Sequence, residues 1–216
     1  DKVKGLLNSG LGGQASGGAV ANILTGKVNP SGKTTETYPV KFEDNPTFGN
    51  YPGGPVTSEH KESVYIGYRY YDKADMNVVF PFGYGLSYTN FEYSKAKLSK
   101  KKIHPGESID VTFSIKNTGE FDGAEIAQVY IEKGDTKIYR APKELKGFAK
   151  VSLNKGEKKS VTVTLDERAF AFYNTAANDW CVENGEYTVA IGTSSRDIVQ
   201  RIKLVAEGFD NSVMPD

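Results

Sequence analysis

The sequence predicts a mainly β protein, a seven-strand sandwich preceded by a fragment of an α/β layer. Two observations carry that prediction. From Phe91 onward apolar residues recur at every second position, with Ile109, Val111, Phe113 and Ile115 alternating with Ser108, Asp110, Thr112 and Ser114, the mark of strands with one face in a core. Before Phe91, Ala19, Val20, Ile23 and Leu24 fall at helical spacing, and a helix with such a stripe must bury it against a second layer.

The elements follow in chain order. Val3, Leu6 and Leu7 make a short apolar stretch, and a glycine-rich run from Gly10 to Gly18 leads into the helix. Gly26 is placed to end it in the left-handed region, Asn29-Pro30-Ser31-Gly32 supplies a tight turn, and a strand is expected over Thr34 to Val40. A loop, one helix and one strand enclose no core, so residues 1–45 read as the C-terminal piece of a larger α/β unit.

Residues 46–90 read as an aromatic-rich connector. Of the 25 aromatic residues in the chain, 12 lie between Phe48 and Tyr93, about twice their share, which points to a packed bridge between two domains. A sugar-stacking platform is the other reading. In an extended segment Tyr68 and Tyr70 share one face while Arg69 and Tyr71 take the other, so Tyr68, Tyr70 and Phe82 are the expected bridge residues. Asp44 to Lys61 is expected to be mobile unless a partner covers it, because Asn45-Pro46, Gly49-Asn50 and Pro52-Gly53-Gly54-Pro55 deny it regular hydrogen bonding.

Residues 91–206 hold the sandwich, with strands expected near Phe91–Leu98, Ser108–Ile115, Ala127–Ile131, Leu145–Leu153, Val161–Leu165, Tyr187–Ile191 and Ile198–Leu204. Pro105-Gly106, Asn117-Thr118-Gly119, Lys155-Gly156 and Asn184-Gly185 supply turn signals between them. Residues 207–216 form a tail. No internal repeat is visible, which disfavours a propeller or solenoid.

Composition excludes several function classes. Lys and Arg number 27 and so do Asp and Glu, so no charge excess marks a nucleic-acid partner. No stretch approaches the roughly 18 apolar residues of a membrane helix, and the opening Asp1-Lys2-Val3-Lys4-Gly5 lacks the apolar run of a secretory signal. One cysteine, Cys181, with His60 and His104, is too few soft ligands for a zinc cluster. The glycosylation pattern occurs as Asn29-Pro30-Ser31 and Asn45-Pro46-Thr47, and the proline disqualifies both.

The chemical motifs are equally sparse. Gly10-Leu11-Gly12-Gly13-Gln14-Ala15 fits the spacing of a dinucleotide-binding turn, but no β-branched strand leads into it, and it reads as a tight loop feeding a helix. Glu59, Glu62, Asp72, Asp75 and Glu92 are flanked by Lys or Arg and read as solvated surface charge. No nucleophile motif lies near either histidine. The residues therefore nominate no catalytic residue, no metal ligand and no cofactor, and they leave substrate-binding residues unassigned.

A longer pattern does emerge. Gly13-Gln14-Ala15-Ser16-Gly17-Gly18, Ile23-Leu24-Thr25-Gly26, Val28-Asn29-Pro30-Ser31-Gly32-Lys33 and Thr37-Tyr38-Pro39 resemble the end of the α/β-sandwich domain of glycoside hydrolase family 3. Val64-Tyr65-Ile66-Gly67-Tyr68-Arg69-Tyr70-Tyr71-Asp72 and Phe80-Pro81-Phe82-Gly83-Tyr84-Gly85-Leu86-Ser87-Tyr88-Thr89-Asn90-Phe91 resemble that family's passage into its fibronectin type III-like domain. Val129-Tyr130, Pro142-Lys143-Glu144-Leu145-Lys146-Gly147-Phe148 and Gly185-Glu186-Tyr187 are similar to the module itself.

The resemblance implies a fold class: a fibronectin III-like β-sandwich preceded by the C-terminal fragment of an α/β-sandwich domain. It implies membership of a retaining β-glycosidase, a β-glucosidase acting on β-linked gluco-oligosaccharides through two carboxylates. In that family the nucleophile lies on a TIM-like barrel and the acid/base glutamate lies earlier in the α/β sandwich, so neither catalytic residue is carried over to this chain. The implied partner is that barrel domain, in the same polypeptide or an associated chain. The other function class left open is a free-standing fibronectin-like binding or adhesion module.

Overall fold

The computed structural model describes residues 3–214; the outermost residues of the expected N-terminal piece and tail, 1–2 and 215–216, lie outside the described residues. In chain order the elements are α1 (Ser16–Leu24), β1 (Tyr38–Pro39), α2 (Tyr68–Lys73), β2 (Val78–Phe80), β3 (Phe91–Tyr93), β4 (Lys97–Leu98), β5 (Lys102–Ile103) and β6 (Ser108–Asn117). They continue with β7 (Gly123–Glu132), β8 (Lys143–Leu153), β9 (Lys158–Asp166), β10 (Phe172–Asn174), β11 (Asp179–Cys181), β12 (Gly185–Gly192) and β13 (Ile198–Ala206). Short 3₁₀ turns occupy Phe42–Asp44 and Glu167–Ala169.

Two sheets make the sandwich. In the first, β6 pairs with β3 and β4 along one edge and with β9 along the other, all antiparallel. The second runs β5-β13-β12-β7-β8, antiparallel except where β5 joins β13 in parallel. The alternation in β6 is the predicted one: Ile109, Val111, Phe113 and Ile115 are buried against Val161, Val163 and Leu165 of β9 and against Ala127, Val129, Ile131, Val189 and Ile191 of the facing sheet. The predicted fold class therefore holds.

β7 breaks the alternation, being buried continuously from Ala127 to Ile131. Both of its faces are covered. One faces the core, and the other carries Gln128 and Tyr130 beneath the connector, where Tyr130, Ala190, Tyr68 and Phe82 form a second apolar cluster. A strand covered on both sides reads as a run rather than an alternation.

Several elements differ from expectation. The single strand expected over Phe91–Leu98 is two short strands, because Gln200 of β13 reaches across, accepting from the Ala96 N–H at 2.7 Å and donating to the Ser94 carbonyl at 2.6 Å. β5 crosses to the second sheet, and the β10–β11 hairpin forms a small sheet of its own; neither short pairing carried a periodic signal. The strand expected over Thr34–Val40 shortens to Tyr38–Pro39, which pairs with β2. Helix α1 begins three residues before the apolar spacing does, and Gly26 follows it at φ +74°, as its position predicted.

The main correction concerns residues 68–73, which are helical rather than extended. With 3.6 residues per turn, Tyr68 and Tyr71 fall on one face and are buried, while Tyr70 is half-buried on another. A six-residue helix is too short to display a period in the sequence.

Candidate functional site

The region that ties the N-terminal elements to the sandwich is where the sequence placed its functional questions. It is built on the outer face of the second sheet. Tyr68 stacks on Phe82 with ring centroids 4.8 Å apart and meets Tyr130 edge-on at 6.0 Å, while its hydroxyl accepts the Leu145 N–H at 2.8 Å. The stacked rings are thus committed to the protein. Burial raises the Tyr68 and Tyr130 phenols above their ordinary range. Gln128, buried beside them, donates to the carbonyls of Gly83 and Thr193 and accepts from the Tyr130 hydroxyl. Gly83 has φ +79°, and a Cβ there would sit 2.1 Å from Gln128 Oε1, so this close approach requires glycine.

A second set of contacts joins the turn after α1 to the same sheet. Lys33 Nζ lies 2.9 Å from Glu125 Oε1, both side chains nearly sealed from solvent, and also donates to the Gly85 carbonyl at 3.0 Å. Asn29 donates to the Asp122 carbonyl and accepts from Ser87 Oγ and the Tyr88 N–H, each at 2.9 Å. Tyr88 in turn donates to the carbonyl of Ile23 at the end of α1. The helix is therefore anchored at its C-terminal end by polar contacts to the connector.

Its apolar side chains are not anchored. No residue of α1 is buried, and Leu11 and Leu24 stand in solvent with Leu6, Val28, Val40, Phe42, Phe48, Tyr51 and Val56. Leu7, Ala15, Ala19, Val20 and Ile23 line an open cleft of about 620 Å³ between α1 and the preceding glycine-rich loop. The segment Asp44 to Lys61 forms no strand, and short local bonds such as Asn50 Nδ2 to the Glu59 carbonyl shape it.

Of the five acidic residues read as solvated, Asp72 is corrected: its side chain is 6% exposed, with Arg196 Nε donating to Oδ1 at 2.9 Å. Lys143 Nζ lies 3.0 Å from Oδ2, an ion pair whose angle falls short of a hydrogen bond. Residue order in the helix, which puts Asp72 beside Tyr71 over the β12–β13 hairpin, was the missing signal. Glu59 pairs with exposed Lys61, whose hydrogen bond holds its carboxyl below the usual range. Asp75 and Glu92 are exposed and Glu62 half-buried. No three His, Cys, Asp or Glu side chains among the described residues are grouped to hold a metal ion.

Comparison with known proteins places this architecture. The family model of the glycosyl hydrolase family 3 C-terminal domain matches residues 1–88, and that of the fibronectin type III-like domain matches residues 125–195. Thermostable beta-glucosidase B of Acetivibrio thermocellus is 53% identical over 92% of this chain, which spans 26% of that protein. An exo-alpha-(1->6)-L-arabinopyranosidase of Bifidobacterium breve is 43% identical over 98% of the chain and 28% of that protein. Among solved structures, a Bifidobacterium adolescentis GH3 beta-glucosidase superposes with a TM-score of 0.84 at 44% identity, over 89% of this chain and 28% of that one. The chain thus spans about a quarter of the length of the relatives it matches.

Proposed function

The chain belongs to glycoside hydrolase family 3, and from that premise we propose that it serves as the non-catalytic structural portion of a retaining β-glucosidase that releases terminal β-glucosyl residues from oligosaccharides. The observation that supports this most directly is the pairing of similarity with surface. The chain matches only about a quarter of each relative, and its N-terminal elements leave many large apolar side chains exposed. A barrel-bearing domain in the same polypeptide is the partner we assign to that face, and the sequence divides for this purpose at about residues 45, 90 and 206.

Sugar identity is set elsewhere in this reading. Relatives named for a β-glucosidase and for an α-L-arabinopyranosidase share this portion at 53% and 43% identity. Two activities named for different sugars share this portion. The connector supplies rigidity where Tyr68 and Phe82 pack with Tyr130 of the sandwich, which supports the bridge reading for those two rings.

The test is direct. The isolated chain, assayed on an aryl β-glucoside beside a mock purification, is expected to release no product above the mock, and joining it to a barrel-bearing segment is expected to give release. Activity of the isolated chain that survives repurification would overturn the proposal.

A further inference from the structure

Beside the bridge, at the rim of the sandwich, positive charge gathers around a single carboxylate. Glu144 Oε1 lies 3.1 Å from an Arg69 guanidinium nitrogen, and Oε2 lies 3.3 Å from Arg140 and 3.5 Å from Lys146 Nζ. Three cations on one anion leave a local charge of +2. These groups are not loosely solvated: the side chain of Arg140 is 5% exposed, Glu144 15% and Lys146 18%, while Arg69 at 34% is the most open. Uncompensated charge at that degree of burial is costly unless a counter-ion completes it.

The backbone builds the cluster by a specific device. Across the β7–β8 pair, Val129 faces Gly147 and Tyr130 faces Leu145, so Lys146 is the extra residue of a β-bulge. Such bulges re-aim a side chain, and here Lys146 is brought to Glu144 from a strand with no neighbour on its outer edge. Beside Lys146 opens a cleft of about 510 Å³ lined by Gly147, Phe148, Thr162, Val163 and Thr164, which gives solvent access. Arg140 supports from behind, held by the Phe170 carbonyl and lying 5.8 Å from the Tyr187 ring. Burial, with the neighbouring arginines, also lowers the Lys146 pKa, though Glu144 opposes the shift.

We propose that Arg69 and Lys146, backed by Arg140, form a binding site for a small inorganic dianion of the phosphate or sulfate class at the open β8 edge. The charge matches, since a dianion neutralises the local +2. Guanidinium and ammonium donors suit oxyanion geometry, one as a planar fork and one as a point charge. Nothing in the site depends on the sugar chemistry proposed above.

The experiment is thermal melting of the chain in sodium phosphate against sodium chloride at matched ionic strength, above neutral pH. Phosphate is expected to raise the midpoint with the logarithm of its concentration above the dissociation constant, by about 3–6 °C at ten times that constant. Lys146→Gln and Arg69→Gln are each expected to lose most of that rise, and Lys155→Gln, an exposed lysine paired with Glu120, to keep it. A rise that stays linear in phosphate concentration, as general salt exclusion gives, or one equal in Lys146→Gln and the unmodified chain, overturns the site. Should both variants fail to fold, phosphorus NMR line width of inorganic phosphate titrated with the unmodified chain decides: broadening that excess sulfate reverses supports the site, and unchanged lines overturn it.

Discussion

The N-terminal third and the sandwich handle apolar residues in opposite ways. Among the described residues, 13 of the 23 exposed large hydrophobics lie at or before Ile66, and no buried hydrophobic precedes Tyr65. The sandwich encloses Ile109, Ile115, Phe170, Tyr187, Ile191 and Leu204 with almost no exposure. Both regions have the composition of folded protein, so the contrast lies in layers: α1 has polar anchors and no second layer, whereas each sandwich sheet has one. Secondary structure in the first region is thus held by its termini, and in the second by its core.

The largest effect that would test this contrast is truncation in the core. Phe170 is fully buried and edge-on to Tyr187 at 5.4 Å, so Phe170→Ala is expected to destabilise the chain by about 3–5 kcal/mol, read from denaturant midpoints. A loss under ~1 kcal/mol would show that the sandwich is as loosely layered as the N-terminal region.

Alkaline pH should act on the same core. Burial raises the Tyr187 phenol from 10.0 to about 12, and the Tyr68, Tyr93 and Tyr130 phenols rise too, again through burial first. The unfolded chain loses these protons at lower pH than the native one, so the stabilisation is complete below pH 10 and is lost as pH climbs to about 12, amounting to about 3 kcal/mol for Tyr187 alone. Lys146 has the opposite sign: its lowered pKa makes stability rise with pH between its native value and 10.5. A falling denaturant midpoint between pH 10 and 12, flattened in part by Tyr187→Phe, is the expected record.

Much of this was legible in the sequence. The period of two in Ile109 to Ile115 fixed β6 and its inward face, and the Gly26 and Asn29–Gly32 signals located the end of α1. What was not legible came from partners distant in sequence. Gln200 splits the first strand from 104 positions away, and Asp72 is buried because Arg196 meets it from 124 positions away. Tyr70 falls off the packed face because the segment is a helix rather than the extended strand assumed, with Tyr68 covered by Phe82 and Tyr130. Of the expected bridge residues, Tyr68 and Phe82 pack on the sandwich and Tyr70 does not join them; the bulge at Lys146 has no local sequence mark.

That correction yields a sharper prediction for the bridge. Tyr68→Phe keeps the ring stack and removes the acceptor of the Leu145 N–H, leaving a backbone donor unpaired, and is expected to cost about 1–2 kcal/mol. Tyr70→Ala, by contrast, truncates a half-buried ring off the stacked face and should cost less than Tyr68→Ala in the same assay. The reverse order would restore the extended segment in which Tyr68 and Tyr70 share a side.

The smallest expected effect isolates the comparison best. Leu24 ends α1 with its side chain largely in water, so Leu24→Gln removes little buried area in the isolated chain, and helix propensity differs little between the two residues. Its melting midpoint should therefore move by no more than the equivalent of about 0.5 kcal/mol, the range for exposed positions. In a protein where a further domain covers α1, the same change would place an amide against an apolar surface and cost about 1–3 kcal/mol or more. Measuring Leu24→Gln in both contexts separates a helix that is solvent-facing by nature from one awaiting its second layer. Equal small shifts in both would mean that the apolar face of α1 is never covered, and the docking role assigned to the N-terminal region would fail with it.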